Sequence, residues 1–233
     1  QITQNPALPS FANTIEIMEE SGQRLGIISG ALFNLNSAET SKSLQEVTQK
    51  AAPILTALQN DIRLNEALFK RIQKVYEQKD TIELTTEQKT LLEKEYKGFV
   101  RNGALLPAEK KEKLRSIDQE LAQLGLRFGE NVLEDSNAFS LHISDEKELS
   151  GLPQSALAMA KEMAKSKSLE GWLFTLDYPS YVPFMTYADN RELRKKMSLA
   201  FGKRGFQSND HNNEEIIQSI VQLRYKRAQL LGY

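Results

Sequence analysis

The chain has 233 residues, of which 26% are charged and 40% hydrophobic. That is enough apolar material for one sizeable core or two modest ones, and it excludes intrinsic disorder. The formal net charge of −1 lacks the basic excess of a nucleic-acid binder, and with no cysteine, disulfides, thiolate catalysis and cysteine-held metals are excluded too.

The opening QITQNPALPS has no initiator Met, no basic n-region and no hydrophobic h-region, and it reads as the trimmed start of a longer protein. Leu25, Ile28, Leu32 and Leu35 repeat at spacings of three and four, the signature of a helix. The uncharged run around them, residues 25–38, is too short and too polar to cross a bilayer. It reads as a buried core helix, and no membrane partner is expected. Residues 42–60 and 65–78 are predicted helices, the first kinked or interrupted at Pro53. Thr85 and Gln88 fit a capping box ahead of Leu91, Leu92, Tyr96, Phe99 and Val100. Pro107 suits the first position of a long helix to about Asp135, whose apolar stripe is Leu114, Ile117, Leu121, Leu124, Phe128 and Val132. At 1.5 Å per residue it is ~40 Å long, a spine for shorter helices.

The pattern then switches to period two. Phe139, Leu141 and Ile143 alternate with polar residues, as do Trp172, Phe174, Leu176 and Tyr178 apart from Leu173. This predicts strands near 138–144 and 171–177, of open relative direction, separated by a helix that begins at Pro153. Asp189 and Glu192 form a box-like start for a helix carrying Leu193, Met197, Ala200 and Phe201. A last helix carries Ile216, Ile217, Ile220, Val221, Leu223, Leu230 and Leu231, with Gly232 at its cap. The fold class is therefore mainly α: a multi-helix, bundle-like lobe with a small β-sheet or hairpin.

Chemistry-bearing groups are few. His142 and His211 are the two histidines. They lie far apart in sequence, and no H-E-x-x-H occurs, so no imidazole pair sits one helical turn apart around a glutamate. His142 reads as a solvent-facing strand residue and His211 as part of a helix entry. FGKRG (201–205) lacks the strand and helix of a phosphate loop and reads as a helix-end turn. The basic cluster Arg191, Arg194, Lys195, Lys196, Lys203 and Arg204 is either a solvated helix face or an attractor for an acidic partner or a peptide carboxylate. YPSYVPFMTY (178–187) is rich in Tyr, Phe and Pro; it either lines a peptide groove or forms a stiff, extended connection packed on Trp172. The residues themselves define no catalytic and no metal site.

Four collinear stretches resemble the thimet-oligopeptidase family of zinc peptidases: LPSFANTIEIMEESG (8–22), residues 96–132 with their Phe-x-x-x-Gly-Ala pattern, YVPFMTYADNRELRKKMSLAFGKRG (181–205) and NNEEIIQSIVQLRYKRAQLLGY (212–233). The Ala-Asp-Asn-Arg-Glu-Leu-Arg wording is most similar to the bacterial peptidyl-dipeptidase (dipeptidyl carboxypeptidase) branch. The resemblance implies two largely helical lobes flanking a peptide channel. It further implies that in the parent protein zinc would be held by the two histidines of H-E-x-x-H and a downstream glutamate and would activate water, with the motif's glutamate as general base. Those ligands would follow Tyr233, so residues 1–233 are expected to be the N-terminal, channel-wall lobe. The expected partners are the missing C-terminal catalytic lobe and, in the parent, short peptides. This lobe alone is expected to bind no zinc and to be inactive, and its substrate-facing residues are expected to be Tyr181, Tyr187 and Arg191. The cytoplasm and the periplasm both stay open as compartments. The alternative is a stand-alone helical module that binds a partner protein.

Overall fold

The computed structural model describes residues 2–233. Most helices form where the apolar spacing predicts them, and Ser41, Asn65, Thr85 and Asn190 cap helix starts with their side chains. A 3-10 turn Ile2–Gln4 and a π-helical turn Phe11–Glu16 come first, the latter capped reciprocally by Ser10 and Asn13. They are followed by α1 (Ile17–Ser21), α2 (Gln23–Ala38), α3 (Lys42–Arg63), α4 (Glu66–Glu77), α5 (Thr86–Arg101) and α6 (Ala108–Ala138). Then come β1 (Leu141–Ile143), a 3-10 turn Glu146–Leu149, α7 (Gln154–Ser166), β2 (Trp172–Phe174), α8 (Tyr178–Tyr187), α9 (Arg191–Gly202) and α10 (Glu214–Leu231). The architecture is mainly α with a small sheet, as the sequence implies. None of the described helices is long and apolar enough to cross a membrane.

The contacts divide the chain into two units. The first runs to Leu126 and resumes at Ser219–Tyr233; the second is Arg127–Gln218. In the first, α4 buries Leu68, Phe69, Ile72 and Val75 against Leu92 and Phe99 of α5. An aromatic column runs through this contact: Tyr76 stacks on Tyr96 at 3.9 Å, Phe69 lies 5.8 Å from Tyr96, and Phe99 lies 6.2 Å from Phe69. Cations close both ends. Lys79 sits 4.6 Å from the Tyr76 ring, and Arg63 sits 4.8 Å from Phe99 while pairing with Glu95 at 2.7 Å. Each aromatic pair adds about 0.5–1.5 kcal/mol beyond the area it buries. The Arg71 guanidinium donates to the carbonyls of Asn5 and Ala7 and to Asn13 Oδ1, tying the first residues to α4.

In the second unit β1 and β2 pair antiparallel, with Leu141 opposite Phe174 and Ile143 opposite Trp172. Leu141 and Ile143 are buried and His142 between them is exposed, the alternation of a half-buried strand. Their core adds Leu149, Leu152, Ala160, Leu176, Phe184, Ala188 and Met197. A polar network braces the turn after α9. Asp135, only 3% exposed, accepts from the Gly205 amide at 2.7 Å and from Asn209 at 2.8 Å. Asn213, 1% exposed, accepts from Asn131 and donates to the Phe128 carbonyl. Gly205 takes φ +68, and a Cβ there would lie 2.6 Å from Asn213 Nδ2, so the turn needs glycine.

Several expectations are corrected. Residues 25–38 do form a helix, α2, but not a buried one: Leu25, Ile27, Ile28 and Leu35 are exposed, and its buried residue is Asn36, bonded to the Thr40 hydroxyl. Its packing neighbour α3 leaves that apolar face open. Pro53 sits inside α3 without interrupting it. Pro107 and Pro153 stand one residue before their helices, and Asn190 rather than Asp189 caps α9. Residues 178–187 are helix, not an extended connection, with Pro179 in the first turn, where a missing N–H costs nothing. The Thr85–Gln88 box is as expected. At the last helix the Tyr233 amide returns to the Ala228 carbonyl and Gly232 to Gln229, the hydrogen-bond pair of a Schellman cap.

Candidate functional site

The sequence-derived site residues lie on α8 and at its corner with α9. The start of α8 is fixed by short-range bonds: Ser180 Oγ accepts from the Thr175 amide at 3.0 Å, and Thr175 Oγ1 donates to Asp177 Oδ2 at 2.8 Å. From there α8 buries Phe184, whose ring meets Phe174 edge-on at 4.7 Å. The corner is held from outside. Ser150 accepts from the Asp189 amide at 2.8 Å and its hydroxyl donates to Asp189 Oδ2 at 2.6 Å. Gly151, at φ +86, lies so close that a Cβ would be 2.1 Å from the Tyr187 carbonyl oxygen. The Arg194 guanidinium donates to the carbonyls of Ala188 and Asp189, which end α8 and begin the turn.

This frame separates the expected residues. Tyr181 and Tyr187 are six positions apart on one helix, which places them about 120° apart around its axis. Tyr181 is half-buried and stacks on Phe201 at 4.2 Å, and the Arg204 guanidinium lies 3.5 Å over the same ring. Tyr187 is 54% exposed, and Arg191, the first residue of α9, is exposed as well. The corner thus presents Tyr187 and Arg191 to solvent, whereas Tyr181 serves the core. The basic cluster splits the same way: Arg194 and Arg204 bond internally, and Lys195, Lys196 and Lys203 are exposed. Among the described residues no three His, Asp or Glu side chains converge as a metal-holding group. His142 is exposed, and its Nε2 lies 2.6 Å from the Glu170 carbonyl oxygen.

Sequence reading did not find a second feature of this unit. A cleft of about 480 Å³ opens between α7 and the β2–α8 segment. Ala156 and Ala160 leave room on α7, Met159 and Met163 wall one side, and Leu173 and Phe174 of β2 wall the other. The small residues at 156 and 160, one turn apart, are the signal that could have marked it.

No protein-family model matches the chain. Curated relatives do. The chain is similar to oligopeptidase A of Escherichia coli strain K12, at 34% identity over 228 residues that make up 96% of this chain and 34% of that protein. A probable cytosolic oligopeptidase A of Arabidopsis thaliana is 33% identical, over 97% of this chain and 33% of its own length. The dipeptidyl carboxypeptidase of the same E. coli strain is 31% identical over 100% of this chain and 34% of its own length. The chain therefore spans about a third of the length of the curated relatives it matches.

Proposed function

We infer, from a chain that matches thimet-oligopeptidase family proteins along nearly its whole length, that these residues form the channel-wall region of a zinc-dependent oligopeptidase. That collinear match carries the reading. In it, hydrolysis of short peptides belongs to the complete protein. In this reading zinc is held outside this chain, by the histidines and glutamate of the complete protein's H-E-x-x-H site, and the chain by itself is inactive. The apolar residues left open on α2 fit a surface covered by the rest of such a protein. Within the class, release of C-terminal dipeptides is the favoured mode, because residues 188–194 are worded like the peptidyl-dipeptidase branch. Tyr187 and Arg191, both exposed at the α8–α9 corner, are the residues we assign to peptide recognition, which their exposure supports; a guanidinium and a phenol suit a peptide's carboxylate and backbone carbonyls.

The test is a chimera in which this chain replaces the matching third of E. coli oligopeptidase A. Restored peptide hydrolysis that falls on replacing Tyr187 and Arg191 with alanine supports the reading. A folded chimera without activity contradicts it. So does chelator-sensitive hydrolysis by the 233-residue chain alone.

A further inference from the structure

We propose that the cleft between α7 and the β2–α8 segment binds an extended peptide that places an apolar side chain beside a cationic one. The floor and walls are apolar, from Ala160, Leu173, Phe174 and the two methionines, and a volume of about 480 Å³ suits a side chain with its flanking backbone. Methionine walls adapt to differently shaped apolar groups. The charges that line the cleft have one sign. Glu162 and Asp177 are both exposed there, and no lysine or arginine lines it. Neither carboxylate joins an ion pair among the described residues. A cation next to the buried apolar group answers that charge.

The backbone favours an extended peptide over a compact ligand. Leu173, Phe174 and Thr175 are consecutive and all line the cleft. Successive strand side chains point to opposite faces, so a cleft touching both Leu173 and Phe174, with Thr175 just past the strand, meets β2 along its edge. β1 takes one edge of β2 and no described strand takes the other, although the Thr175 amide, bonded to Ser180 Oγ, is not among the groups a peptide could use. A sheet edge beside an apolar pocket is the arrangement used for strand addition. This proposal is independent of the peptidase reading, because its measurement is binding to this chain rather than hydrolysis.

The five methionines make the experiment direct. With 13C-methyl methionine, the Met159 and Met163 methyl signals are followed during titration with acetyl-Lys-Leu-Lys-amide and with acetyl-Glu-Leu-Glu-amide. The expected result is a saturable shift of these two signals by the lysine peptide, at least about tenfold weaker for the glutamate peptide, with Met18, Met185 and Met197 unmoved. Glu162→Gln with Asp177→Asn weakens the lysine peptide about tenfold, and the unmoved methyls report that the fold is intact. Equal shifts from both peptides, or none, overturn the proposal. Equal affinity for hexylammonium shows that a small amine suffices and overturns the peptide assignment. Met159 and Met163 shifts that grow with protein concentration alone assign the cleft to a second copy and do the same.

Discussion

Gly151→Ala tests how the α8–α9 corner is held. At φ +86 an alanine costs about 1–2 kcal/mol in the backbone alone. Its Cβ would also start 2.1 Å from the Tyr187 carbonyl oxygen, so the two segments must part until the contact reaches an ordinary 3.4 Å. That displacement takes the 2.8 Å Asp189–Ser150 backbone bond and the 2.6 Å hydroxyl–carboxylate bond beyond reach, at about 1 kcal/mol each. Against these stands a gain of about 0.4–1 kcal/mol from a stiffer unfolded chain. The sum is a loss of about 3 kcal/mol, a large share of the 5–15 kcal/mol typical of a domain. Urea unfolding followed through Trp172, the single tryptophan and a residue of this unit, is expected to show a midpoint lower by about 1–2 M. Gly202→Ala in α9, with nothing within 4 Å of the added carbon and no positive φ, is expected to hold or raise the midpoint. A Gly151→Ala midpoint within about 0.3 M of the parent refutes the reasoning.

Other substitutions probe the same unit. Asp135→Asn turns an amide toward one of the two donors that the buried carboxylate now accepts from; unfolding free energy is expected to fall by about 2 kcal/mol, and an unchanged urea midpoint would contradict the network. Ser168 is the described non-glycine residue with positive φ, at 58°, where the Leu169 amide returns to Ala164 to close α7. Melting temperatures should rank Gly above Ser above Val at this position, and any other order counts against a left-handed cap. In the first unit, hydrogen bonding from Lys79 holds the Glu93 carboxyl below its ordinary value, and Lys113, Lys89 and Lys70 do the same for Glu109, Asp80 and Glu66. A folded value below the unfolded one means that the stabilisation is present above about pH 4.3 and is lost as pH falls through the folded values. Urea midpoints by circular dichroism should therefore drop between pH 5 and pH 3, and by less in 1 M NaCl, which screens exposed pairs. A profile flat over that range would contradict the pairings.

Helices whose apolar residues repeat along one stripe were legible in the sequence, because period and capping are local properties; α4, α5 and the Thr85–Gln88 box are cases in point. Burial was less legible. The run on α2 has the composition of a core helix, but burial depends on what lies opposite, and α3 leaves Ile27 74% exposed. Polarity alone does not mark burial either: Asp135 and Asn213 are polar, yet they are buried because backbone donors and acceptors meet them from distant positions. At the candidate site, the aromatic and proline content of 178–187 was visible but its helical state was not: Pro179 falls in a first turn that composition alone does not locate, and Pro183 lies inside the helix, where proline is normally disfavoured. Once α8 is a helix, Tyr181 and Tyr187 must point apart, and the cleft beside Asp177 comes into being.

The pairing of β1 with β2 across α7 carries a consequence for the order of events in folding. Residues 144–171 separate the two strands, and closing such a stretch as loose chain costs entropy that grows with the logarithm of its length. A helix of α7's size forms in well under a millisecond and shortens the path that the ends must search. The sheet is thus a latecomer that waits on a helix. Weakening α7 should slow refolding, whereas weakening the Leu141–Phe174 contact should chiefly hasten unfolding.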